Sequence, residues 1–149
     1  MGGRRAGADV VTARYLLDKS AGFRMHIDVV DARVGPLMER GLLATCGIAD
    51  LEAGVSARSA DHHQALGDAR RYALQYLPTP DKAWERAWQV QEQLCGRSLH
   101  RSVKIPDLII AAVAEHHGLT VLHYDHDFDR IAEITGQSVE WAVPPGAAG

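Results

Sequence analysis

The sequence predicts an α/β fold, a three-layer sandwich with a central, mainly parallel sheet. Three observations predict it. Short apolar runs alternate along the chain with stretches of helical period, the pattern of β-α-β units. Gly41, Gly118 and Gly136 stand where three of those helices should stop. A chain of 149 residues that is 46% hydrophobic fits one domain with an ordinary core.

The elements follow in order. Residues 1–13 are rich in Gly and Ala without periodicity and are expected to form a flexible arm, with the single domain spanning 14–143 and a tail over 144–149. Arg14 to Leu17 is a short apolar run closed by Asp18, the profile of a buried strand. A helical region over about 20–40 is expected to break near Gly35-Pro36, and Leu42 to Cys46 reads as the second strand. Helices over 48–57 and 61–76 come next, and the Pro-flanked piece Leu77 to Pro80 is a place for a very short edge strand. Over 81–94 Trp84, Ala87, Trp88, Leu94 and the one polar exception, Gln91, step at three and four, which predicts a helix with one buried face; Trp84 and Trp88 share a side that is usually core, or on an exposed helix a surface for a dimer or partner. A basic loop, 97–104, leads to a helix over 107–117 with Pro106 at its start. A strand over 119–122, a helix over 127–135 and a strand over 138–141 complete the domain.

Composition excludes several classes. A net charge of −3, from 16 Lys+Arg against 19 Asp+Glu, is too small for a disordered chain. The pI near 6.2 leaves any nucleic-acid binding to a local patch. Cys46 and Cys95 make neither a disulfide framework nor a C-x-x-C pair, so the expected compartment is the cytosol, and no apolar run is long enough to span a membrane.

In an open α/β sheet, ligands bind beyond the carboxyl ends of the strands, so the acids there carry the functional reading. Asp18 follows the first strand, Glu52 lies early in the helix after the second, Asp107 starts the helix leading to the fourth, and Asp125 follows that strand. Carboxylates gathered at one edge repel unless cations neutralise them. Oxygen-only ligands suit Mg²⁺ or Mn²⁺, and such a cluster hydrolyses phosphodiesters. Each acid also has a local explanation: Asp18 as a turn residue, Asp107 as a helix-start charge. Glu52 is preferred to Asp50, which is read as a helix-start charge in solvent. Among Asp125, Asp127 and Asp129 the residue nearest the strand end should face the site, while Asp127 either caps the next helix or assists a metal.

The segments Tyr15-Leu-Leu-Asp-Lys-Ser-Ala21, Asp50-Leu-Glu-Ala-Gly54, Ile105-Pro-Asp-Leu-Ile-Ile-Ala-Ala112 and Leu122-His-Tyr-Asp-His-Asp-Phe-Asp-Arg-Ile131 resemble, in order and spacing, the motifs of PIN-domain ribonucleases, above all VapC toxins. The resemblance implies a PIN-like fold and an endoribonuclease dependent on Mg²⁺ or Mn²⁺, acting on structured RNA such as tRNA or rRNA. It implies a small antitoxin partner and a homodimer. By matching position, Asp18, Glu52, Asp107 and Asp125 form the catalytic acid set, with Asp18, Asp107, Asp125 and Asp127 as candidate metal ligands and Ser20 supporting the first carboxylate. The choice between Asp125 and Asp127 stays open.

Arg97, Arg101 and Lys104, just ahead of Asp107, are candidate RNA contacts, set against a loop that is merely solvated. Arg70-Arg71 reads as a soluble face. His62-His63 and His116-His117 are neighbours rather than i, i+4 pairs and do not grip an ion together, whereas His123 and His126 border the acid turn. The run from Asp125 fails as a calcium loop, with Arg130 at the sixth place and Gly136 at the twelfth. The alternative function is a non-catalytic PIN-like module that binds protein or RNA.

Overall fold

The computed structural model describes residues 10–149. Five strands form one parallel sheet in the order β3-β2-β1-β4-β5: β1 Tyr15–Leu17, β2 Leu43–Cys46, β3 Gln75–Leu77, β4 Thr120–His123 and β5 Val139–Trp141. Around it lie α1 Lys19–Gly22, α2 Asp28–Glu39, α3 Gly47–Gly54, α4 Ala60–Ala73, α5 Asp81–Gly96, α6 Ile105–His117 and α7 His126–Thr135.

The period of two along each strand splits the core. Leu16, Ala44, Cys46, Leu77 and Val121 face α5, α6 and α7, while Leu17, Leu43 and Leu122 face Val30, Val34 and Leu37 of α2. This is the expected sandwich, with every strand pair parallel. Strand β1 sits centrally, Leu16 paired with Ala44 of β2 on one side and Val121 of β4 on the other. The chain runs outward from β1 through β2 to β3, then crosses back to β4. The carboxyl ends of β1 and β4 therefore flank the switch in strand order, where open sheets place their ligands.

α6 is buried from Asp107 to Ala114, against the sheet on one side and α5 and α7 on the other. Gly118, at φ 71°, ends it in the left-handed conformation that spares glycine a Cβ clash.

Several expectations need correction. The helical region after β1 breaks at residues 23–27, not at Gly35-Pro36. Pro36 lies inside α2, where it removes one hydrogen bond, and the stripe Val30, Val34, Leu37 at i, i+4, i+7 holds the helix across it. The edge strand β3 takes residues assigned to the end of α4 and stops at Leu77, which Pro78 biases towards extended backbone. On α5 the buried stripe is Ala83, Ala87, Val90 and Leu94, whose small residues allow close approach to α6. Trp84 and Trp88, assigned to the buried side, are 53% and 70% exposed.

Residues 1–9 of the expected arm lie outside the described residues. Gln75 Oε1 accepts the Thr12 and Ala13 N–H groups, each at 3.0 Å, and Ala13 is buried. At the other end, the Tyr124 hydroxyl accepts the N–H groups of Gly146 (2.8 Å) and Ala148 (2.9 Å), and Ala148 is buried with Ala142 and Val143 against Tyr124. Among the described residues no helix is long and apolar enough to cross a membrane.

Candidate active site

Asp18 ends β1 and starts α1 at once. Its Oδ2 accepts the Ser20 N–H at 2.9 Å and the Ser20 hydroxyl, a short cap that turns the carboxylate over the sheet edge. Ser20 is itself held, because its Oγ accepts the Tyr124 N–H at 2.8 Å from the segment following β4. The cap uses only Oδ2. Asp18 Oδ1 is buried and has no hydrogen-bond partner among the described residues. The local explanation of Asp18 thus accounts for Oδ2 and leaves Oδ1 unexplained.

Asp125 divides its oxygens in the same way. Oδ1 accepts the Asp127 N–H at 2.9 Å and caps α7, while Oδ2 meets the Lys104 ammonium at 2.8 Å. Asp125, rather than Asp127, is the cap of α7. Asp127 instead ties two elements together: its Oδ2 accepts the backbone N–H of Lys104 at 3.0 Å, ahead of α6, and the Lys104 ammonium at 2.7 Å, and Oδ1 accepts from Arg130 at 3.3 Å.

Asp107 lies in the first turn of α6 and is 1% exposed. Among the described residues its Oδ2 has no hydrogen-bond donor, and the Lys104 ammonium lies 3.4 Å from it. Glu52 of α3 points to the same place, with Oε1 buried and unpartnered and Oε2 3.3 Å from the Lys19 ammonium. Asp18, Glu52 and Asp107 each bring an oxygen within 4.8 Å of the others, and Asp107, Asp125 and Asp127 form a second such set. Four separate parts of the chain meet at this edge, as the sequence reading requires.

Burial and crowding show in the acidities. Burial pushes the Asp107 carboxyl up to about 9, helped by its hydrogen bond to Asp127 and the charge of Asp18. That bond exists only when one of the two acids holds a proton. Asp18 is also raised, by burial first, against the lowering effect of its Ser20 bonds. Burial works against ionised Asp127 too, but hydrogen bonds from Asp107 and Lys104 hold it below the usual carboxylate range.

The structure does not bring Asp50 to this cluster, nor leave it in solvent. Its Oδ1 accepts from the Thr45 hydroxyl at 2.8 Å and from Arg70 Nε at 3.0 Å, and Arg70 Nη2 also reaches Thr45 Oγ1 at 2.9 Å. Arg70, read as part of a soluble face, is therefore a tie between α4 and the β2–α3 corner. His123 is fully buried among Phe128 and Trp141, and burial lowers it to about 4, so it is a neutral ring out of reach of a ligand. Of the basic loop, Arg101 is exposed, Arg97 lies 3.9 Å from Glu133, and Lys104 is committed to the acids. The roles of Lys19, Lys104 and Arg130 inside the cluster escaped the sequence reading. Spacing would have offered a hint only for Arg130 and Lys104, each three residues from an acid.

Hard, anionic oxygens that are buried without donors are the donor set a divalent cation satisfies. The unpartnered atoms of Asp18, Glu52 and Asp107 fit a divalent cation in chemistry.

Comparison with known proteins agrees with this geometry. The PIN domain profile matches residues 15–134. Ribonuclease VapC21 of Mycobacterium tuberculosis is 65% identical over 138 residues, covering 93% of this chain and 100% of the relative. DNA-bound VapBC from Salmonella typhimurium has a chain that superposes with a TM-score of 0.72 at 17% identity, covering 89% of this chain and 100% of that one. VapBC-5 of Mycobacterium tuberculosis, a member of the VapBC family of toxin-antitoxin systems, gives 0.58 at 25% identity, with coverage of 87% and 97%. Matched over nearly all of its length in sequence and in fold, the chain belongs to the PIN-domain family and, within it, to the VapC proteins.

Proposed function

We propose that this chain is a metal-dependent endoribonuclease, the toxin of a toxin-antitoxin pair, which hydrolyses phosphodiester bonds in structured RNA such as tRNA or rRNA. One observation carries the reading: three buried carboxylate oxygens, on Asp18, Glu52 and Asp107, converge without a donor. An acid left so costs stability, and a cation is what makes the arrangement tolerable.

Asp18 and Asp107 hold the ion, and Glu52 completes the set. A bound Mg²⁺ or Mn²⁺ supplies Lewis-acid activation of water and neutralises charge building on the phosphate. The remaining work belongs to the chain. Ser20 aims Asp18 and favours its ionised form against the effect of burial by donating to Oδ2, while anchored by Tyr124 N–H. Asp125 is the fourth acid: its Oδ2 meets only the Lys104 ammonium, whereas Asp127 is bound at Oδ2 by both the backbone N–H and the ammonium of Lys104 and at Oδ1 by Arg130. Arg97 and Arg101, exposed on the loop ahead of α6, serve as phosphate contacts.

The antitoxin as partner is supported by the toxin-antitoxin system to which VapBC-5 belongs. A homodimer is supported by the exposed Trp84, Trp88 and Ile105, which rim a groove between α5 and α6 of about 220 Å³.

The test is cleavage of a structured RNA by purified protein with Mn²⁺. Cutting should stop with EDTA, and Asp107→Asn should be folded and inactive. Parental cleavage by the Asn variant would overturn the assignment. Tight RNA binding with no cutting at any metal concentration would favour the non-catalytic module instead.

A further inference from the structure

The cluster contains two overlapping acid sets, and among the described residues they differ in how a cation meets them. Within the set Asp107, Asp125 and Asp127, the Lys104 ammonium lies 3.4, 2.8 and 2.7 Å from a carboxylate oxygen of each. It is tethered there, because its own backbone N–H is bound by Asp127 Oδ2 at the entrance of α6. Its reach is therefore that of one four-carbon stem from a fixed point. Arg130 takes the remaining oxygen of Asp127. The other set, Asp18, Glu52 and Asp107, keeps its three unpartnered oxygens, and Lys19 touches only the outer oxygen of Glu52.

Charge leads to the same place. Among the described residues, the five carboxylates of Asp18, Glu52, Asp107, Asp125 and Asp127 pair with three cations, Lys19, Lys104 and Arg130. Two negative charges are left over when all are ionised, which is what one divalent ion neutralises.

We propose that the Lys104 ammonium occupies the cation position of the Asp107, Asp125 and Asp127 set, so that the chain takes up a single divalent ion, at Asp18, Glu52 and Asp107. This rests on the metal-dependent reading above and specifies its stoichiometry. Lys104 then does electrostatically what a second metal does in two-metal sites, where paired ions about 3.5–4 Å apart share the charge of the reacting phosphate. An ammonium cannot take up or lose ligands as a metal does, so the second position is always filled and independent of metal supply.

The experiment counts bound Mn²⁺ by the loss of the free-ion EPR signal, on the full chain at saturating metal. Wild type should bind one ion per chain, Lys104→Gln two, and Lys104→Arg one. Circular dichroism confirms that each variant is folded. Two ions on wild type, or one on a folded Lys104→Gln, overturns the proposal. No ion on wild type overturns the metal-dependent reading itself, so the two failures are distinguishable. A second measurement stands independent of the variants: acetylation of the Lys104 amine in wild type, followed by mass spectrometry, should not accelerate on adding Mn²⁺. Acceleration would show the metal displacing the ammonium and would also overturn the proposal.

Discussion

Asp107→Asn should stabilise the metal-free protein, even though it removes a residue at the centre of the site. In the fold the Asp107 carboxyl is pushed up to about 9, and in the unfolded chain it returns to 3.8. Between those values the folded state holds a proton that the unfolded state has released. Stability from this group is therefore complete below about pH 4, falls as pH rises through the window, and is fully lost above about pH 9. Each pH unit costs about 1.4 kcal/mol, so at pH 7 the penalty is about 4 kcal/mol as an upper limit. Asparagine is neutral at every pH and carries no such penalty. For a chain of this length that corresponds to a rise in melting temperature on the order of 10 °C. The assay is thermal unfolding in EDTA at pH 5, 7 and 8 for both proteins. The melting temperature of wild type should fall relative to the variant as pH rises, and adding Mn²⁺ should raise wild type alone. A variant that melts below wild type in EDTA, or a difference that does not change with pH, would refute the reasoning.

Ser20→Ala removes the hydroxyl that donates to Asp18 and accepts from Tyr124 N–H; it should cost about 1–3 kcal/mol and move the Mn²⁺ midpoint in thermal-shift titrations to higher concentration. An unmoved midpoint would show that Ser20 does not hold the ligand. Burial pushes the Cys46 thiol up to about 11, while Cys95 is exposed, so a thiol reagent at neutral pH should modify Cys95 at once and Cys46 only after unfolding. Trp88→Glu places a charge on the exposed α5 face; sedimentation should change from dimer to monomer with the melting temperature of the isolated chain nearly unchanged.

The parts of the fold legible in the sequence were those where one local signal decides. Short apolar runs marked β1, β2 and β4, though not β3, and Gly118 and Gly136 end α6 and α7 in the left-handed conformation. Less legible was anything decided by packing from another element. Pro36 is tolerated because α2 is held down by Val30, Val34 and Leu37, and the buried side of α5 follows its small residues and not its large ones. In the site, the positions of Asp18, Glu52, Asp107 and Asp125 followed from strand ends and helix starts. The division of labour between their two oxygens did not, since it depends on Lys104, Arg130 and Tyr124, which come from other parts of the chain. Asp50 was misplaced for the same reason: its partner Arg70 lies on the next helix.

The clasp between Tyr124 and the last residues has a practical bearing on anyone handling this molecule. The hydroxyl grips Gly146 and Ala148, and the amide of the same tyrosine steadies Ser20 and so the first acid. A purification tag fused directly after Gly149 would tug on a residue that stands two bonds of contact from the cleft, so a cleavable linker, or a label at the opposite end, is the safer way to prepare material for metal counting.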